Sequence, residues 1–114
     1  MSNEDIYNKI NNCKNKIRRY EDSIDYLCEA KRKALKIESG LEHIKYTQHS
    51  KACDECNDAI GYQPNIITAL NISNNNMLSY NDNIVSEIAS AISTLENKVS
   101  QLEDKISSLH SKIE

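Results

Sequence analysis

Four cysteines and three histidines are the residues of this 114-residue chain whose chemistry extends beyond packing. Cys53-Asp54-Glu55-Cys56 is a CxxC pair, and His49 precedes it by four residues. On a helix, His49, Cys53 and Cys56 fall at i, i+4 and i+7 and share one face, with His43 as an outlying fourth. Thiolate and imidazole at such spacing suit zinc or redox chemistry. The second half of a zinc motif is missing, however, and no βαβ pattern surrounds the pair as a thioredoxin-type site requires. Cys53 and Cys56 serve as well as small apolar residues in a helical stripe ending at Ile60. A small metal or redox protein using His49, Cys53 and Cys56 is therefore retained only as an alternative, and no cofactor is expected. The chain has no Gly-rich phosphate loop and no GxSxG, and its serines and histidines are scattered, so no enzyme is expected. His110 reads as a solvated flank rather than a base.

The elements that would position these groups are long helices. From Ile88 the apolar residues fall at Ile92, Leu95, Val99, Leu102, Ile106, Leu109 and Ile113, in steps of 4 and 3 without a fault. A stripe this narrow is a heptad seam, and one helix alone cannot bury it. In a heptad frame Ile92, Val99, Ile106 and Ile113 take a, and Ile88, Leu95, Leu102 and Leu109 take d. Lys98 and Lys105 at g, with Glu96 and Glu103 at e, would attract across a parallel pair. The N-terminal half offers Ile6, Ile10, Cys13, Ile17, Tyr20, Ile24 and Leu27 in the same rhythm. Two pairings satisfy both seams: the two helices of one chain zip antiparallel, or the C-terminal helix pairs in parallel with a copy or relative. A hairpin meeting a second hairpin satisfies both, as a four-helix bundle.

Further along, Ala30 follows Leu27 by three where four is due, which predicts a stammer before Ala34, Ile37, Leu41 and Ile44. A second phase shift follows Ile44, with Tyr46, His49, Cys53, Cys56 and Ile60 as the next stripe. Gly40 lies inside the pattern and is read as tolerated. Ser2 with Asp5 forms a capping box for a helix over about 3–58. Gly61 and Pro64 end it. A connector is expected over about 59–75, with one short helix at Ile66–Leu70 and Asn74–Asn76 as turn and cap residues. The last helix is expected over about 76–113, with Met77 and Ile84 extending its stripe. The fold class is all-α: an elongated antiparallel helical hairpin, coiled-coil-like, in a single domain.

Composition agrees. The aromatic residues are six Tyr, with no Trp or Phe, which suits a thin helix–helix interface rather than a thick core. Two Gly and one Pro encode few chain reversals, so a sheet fold is disfavoured. The net charge of -3 gives no support to nucleic-acid binding. The basic run Lys31-Arg32-Lys33 with Lys36 is flanked by Glu29 and Glu38, and reads as a solvated helix face. No apolar run is long enough to span a membrane, and the N-terminus MSNEDIYNKI lacks a signal-peptide core. A cytoplasmic location with reduced cysteines is expected, or co-export with a partner by a non-classical route.

Three stretches carry a family likeness: Ile6-Tyr7-Asn8-Lys9-Ile10, then Gly61-Tyr62, then the coiled-coil end from Ile84 to Ile113. Together they resemble the YwqH-like family of small α-helical proteins, similar in shape to WXG-type hairpins and linked to LXG toxins of the type VIIb secretion system. Gly61-Tyr62 is the nearest counterpart of the family's Trp-x-Gly turn. Leu78-Ser79-Tyr80-Asn81-Asp82 is the nearest counterpart of its aromatic-x-x-x-Asp targeting motif, with Leu78 in the aromatic's place and Asp82 at the acidic end. The resemblance implies a chaperone or targeting partner that binds the N-terminal helical domain of an LXG toxin, with room for a second small helical protein. The expected contact surface is the seam Ile88, Ile92, Leu95, Val99, Leu102, Ile106, Leu109 and Ile113. The alternative is a self-associating structural coiled-coil dimer.

Overall fold

The computed structural model describes all 114 residues and is an all-α helical hairpin. Helix α1 spans Asn3–His43 and passes into a π-helical segment, Ile44–His49. Helix α2 spans Ser50–Ile60, and helix α3 spans Pro64–His110. The chain divides into two compact units. One comprises Met1–Ala30 with Ile88–Glu114, and the other Lys31–Glu87.

The first unit is built from the two strict heptad stripes. Ile6, Ile10 and Leu109 form its buried core, with Ile106 and Ile113 packed against them. Cys13, Ile92 and Val99 are buried as well. Each fully covered aliphatic side chain contributes roughly 1.5–3 kcal/mol. The pairing is antiparallel and within the chain, which selects one of the two arrangements open to the sequence. A reciprocal clamp fixes the ends: Asn3 Nδ2 donates to the Glu114 carbonyl (3.0 Å), and the Glu114 N–H donates back to Asn3 Oδ1 (3.2 Å). Ser2 caps α1 as its sequence indicates, its hydroxyl accepting from the Asp5 N–H at 3.2 Å.

The second unit departs from expectation in three places. At the predicted stammer Ala30 and Lys31 are both half-buried, and the inward face continues through Ala34, Glu38 and Leu41, while Ile37 stays 56% exposed. The phase shift after Ile44 takes the form of the π-helical segment. Lys45, His49 and Cys53 all turn inward at successive steps of four, a spacing that a wider π turn accommodates. Tyr46 and Ile60, expected on that stripe, are exposed.

The third departure is the connector. Residues 59–75 are not a loop: the turn is Gly61–Gln63 alone, and α3 starts at Pro64 rather than near Asn76. Gly61 ends α2 at φ 88°, a conformation that a side chain disfavours, with its N–H donating to the Asn57 carbonyl at 3.1 Å. Pro64 suits the first helical turn, where no N–H partner is needed. No Gly or Pro follows to break the helix, and the asparagines at 74–76 lose too little in a helix to outweigh packing on one face.

Ile10→Ala and Leu109→Ala should each destabilise the chain by about 2–5 kcal/mol, read from the denaturant midpoint at unchanged slope.

Candidate functional site

The seam expected to bind a partner is occupied from within. Ile92, Val99 and Leu109 are buried, and Ile88, Leu95, Leu102, Ile106 and Ile113 are half-buried in the first unit. Most of the exposed large apolar side chains lie on the second unit, with Tyr7 and Tyr26 exposed on the first.

Around Lys31–Glu87 the usual order of burial is reversed. Asn74 is fully buried (0% exposed), and neither its Nδ2 nor its Oδ1 has a hydrogen-bond partner. Asn81 is buried too, and its Nδ2 donates to the Ala34 carbonyl at 2.8 Å, tying α3 to α1. Lys45 Nζ donates to Asn75 Oδ1 at 3.1 Å. Polar side chains thus share the interhelical seam with Ala34, Leu41, Ile44, Ile67, Leu70 and Leu78, while Ile37, Met77 and Tyr80 stay outside. Ile37, Leu41, Met77, Tyr80 and Ile84 line one groove of about 470 Å³, and its walls are almost entirely apolar. Ile37, Leu41, Met77 and Ile84 were expected from the sequence as inward stripe positions. The helices are rotated so that the asparagines take the seam instead.

In the Leu78–Asp82 segment Asp82 is exposed, beside Glu38. Leu78 is half-buried. The Asp82 carboxyl shares a hydrogen bond with that of Glu38, and this bond and the like charge of Asp82 raise the Glu38 pKa above its ordinary value. Burial and the nearby Glu42 push it the same way.

His49, Cys53 and Cys56 do share one half-buried face. His49 and Cys53 line a cleft of about 350 Å³ with Lys45, Tyr46 and Asp54, while Cys56 does not reach it. His49 Nδ1 is buried without a partner. No three His, Cys, Asp or Glu side chains converge in a geometry that would hold a metal ion, and all four cysteines are free thiols.

At the hairpin turn Ile60, Tyr62 and Ile66 stand exposed within seven residues, Tyr62 at 72%. The sequence reading placed this stretch in an irregular connector packed back on the hairpin. The aromatic-and-Ile composition beside Gly61 was the signal available, but nothing in the sequence sets its exposure. No helix is long and apolar enough to cross a membrane.

Fold and surfaces together define a helical hairpin with outward apolar surface. Comparison with known proteins finds no matching family model, no matching curated protein and no matching solved structure.

Two outcomes follow from the polar seam. Asn74→Leu removes two unsatisfied polar atoms while keeping the side chain's branching, and should stabilise the chain by about 1–3 kcal/mol in denaturant titration. Glu38 binds its proton more tightly when folded, so stability should rise as pH falls through its raised pKa and be lost again as pH climbs through it. Glu38→Gln should flatten that segment of the melting-temperature profile against pH.

Proposed function

We propose that this chain is a non-enzymatic helical interaction protein that binds the N-terminal helical domain of an LXG-type toxin, as its chaperone or targeting partner for type VIIb secretion. The observation that supports it is the exposed cluster Ile60, Tyr62 and Ile66 at the hairpin turn. Large apolar and tyrosine side chains held at a tight turn lose little conformational entropy on binding, and tyrosine is a frequent interface anchor. The seam Ile88–Ile113 is already filled by α1, so in this reading the client docks on the turn end and the seam supplies rigidity. The family likeness described for Gly61-Tyr62 places its characteristic turn at the same point. A cytoplasmic hand-over step belongs to this reading.

The test is co-expression of the tagged chain with an LXG toxin domain from the same host, followed by purification and mass determination of the complex. Wild type should retain the toxin domain. Tyr62→Ala combined with Ile66→Asp should lose it at unchanged helicity, and Cys53→Ser with Cys56→Ser should keep it. Failure of the wild-type chain to retain the domain, or retention by the turn variant, would rule out the proposal.

A further inference from the structure

We propose that a lysine-lined groove of the first unit is a docking surface for an acidic helix of a partner protein. The helix it fits carries carboxylates one heptad apart on either side of an apolar stripe, and completes a three-helix bundle with α1 and α3. The groove is separate from the turn end and does not depend on the client assigned there.

The lysines meet because of the way the apolar seam pairs. In the heptad frame Lys9 and Lys16 take g on α1, and Lys98 and Lys105 take g on α3. Parallel helices set g against e and would bring Lys98 and Lys105 to glutamates. Antiparallel helices set g against g, and the pairing in this chain is antiparallel. Lys9, Lys16 and Lys105 accordingly line one stretch of the groove, of about 190 Å³. Lys16, Lys98 and Lys105 line the next, of about 250 Å³. No Asp or Glu lines either stretch. Counted from the clamp between Asn3 and Glu114, Lys105 lies about level with Asn12, and Lys98 with Arg19. The four charges thus alternate from wall to wall in the order Lys9, Lys105, Lys16, Lys98, with roughly 5 Å of rise between neighbours. That spacing is inside the screening length of about 8–10 Å, so the like charges are felt.

Such a seam works against its own fold, and a local rule broken without compensation marks a functional surface. Arg19 and Lys112 extend the basic stripe rather than neutralise it. The nearest acids are Asp5, four residues before Lys9, and Asp104, on the outward side of Lys105. Glu21, Glu96 and Glu103 take e, on the opposite flank. The groove floor is apolar, with Leu102 half-buried beside buried Cys13. Each wall repeats its lysine after seven residues, about 10.5 Å of helix. Glutamates at e and g of a third helix repeat at the same distance, and its a and d side chains then lie on Leu102. Charge at e and g is how helices in such bundles choose partners. A phosphate polymer fits less well. Arginine, whose fork grips phosphate, is absent from the lining, and the net charge of -3 repels an extended polyanion.

Two synthetic peptides of about four heptads, long enough to hold a helix, test the proposal. Both carry Leu at a and d; one has Glu at e and g, the other Lys. Like charge on both flanks keeps each from pairing with itself at neutral pH. By titration calorimetry the Glu peptide should bind the full chain, more weakly as salt rises, and the Lys peptide should not. Lys105→Glu puts a carboxylate between Lys9 and Lys16. It should therefore melt higher than wild type at low salt, yet bind the Glu peptide at least ~10-fold more weakly. Lys33→Glu, the same charge change on the second unit, should stay within about 2-fold of wild type. Tyr62→Ala with Ile66→Asp should also leave this binding intact, which separates the groove from the turn end. The proposal is overturned if the Glu peptide fails to bind at about 1 mM, the weak limit of specific association. It is overturned equally if both peptides bind alike, or if Lys105→Glu binds as wild type or melts no higher. Lysine-dependent binding of a single-stranded oligonucleotide or of phosphatidylserine vesicles, with none of the Glu peptide, would assign the groove to a polyanion instead.

Discussion

The narrow apolar stripe of α3 has to be covered, and α1 covers it. Ile6 and Ile10 close on Leu109, Ile106 and Ile113 with the chain ends clamped by Asn3 and Glu114. Two heptad seams of matched length, joined through a single tight turn, leave antiparallel zipping as the shortest route to burial. Much follows from that contact. It fixes the direction of α3 against α1 and uses up the most regular hydrophobic surface in the chain. It also leaves any partner to be met elsewhere.

The second unit follows a different logic. An interhelical seam with Asn74, Asn81, Lys45 and Glu38 on it is weaker than one of Ile and Leu, because each polar group must be desolvated and Asn74 recovers nothing for it. What such a seam provides is register. The Asn81–Ala34 bond has one geometry, whereas an apolar seam of equal spacing tolerates slips of a heptad. The cost of that choice is an apolar groove left facing outward. A helical protein that keeps Ile37, Met77 and Tyr80 in water has surface suited to another helical protein.

The cysteine–histidine face illustrates how spacing and chemistry diverge. His49, Cys53 and Cys56 lie together as the i, i+4, i+7 pattern requires, and the π-helical segment that ends at His49 sets their phase against Lys45 upstream. Sharing a face is not converging on a point. Ligands on one helix radiate from a common axis, and a metal site needs a further group from an opposing element, which α3 supplies here only as asparagine and isoleucine.

The sequence by itself determined the all-α class, the Ser2 cap, the turn at Gly61 and the seam residues from Ile88 to Ile113. Each rests on local or strictly periodic information: a capping hydroxyl, a positive φ, an unbroken alternation of 4 and 3. Only the tertiary structure decided what that seam packs against, since a heptad stripe accepts α1 or a foreign helix equally well. It also decided the rotation of the helices between Lys31 and Glu87. There apolar and polar residues occupy neighbouring stripes about one residue apart, so Ile37 or Glu38, and Met77 or Leu78, could each have faced inward. A rotation of that size is set by the sum of contacts with the opposite helix, among them the bond from Asn81 to Ala34. The long α3 was hidden for the same reason. Asparagines read as a turn while the segment is considered alone, and become helical once one face of them packs against α1.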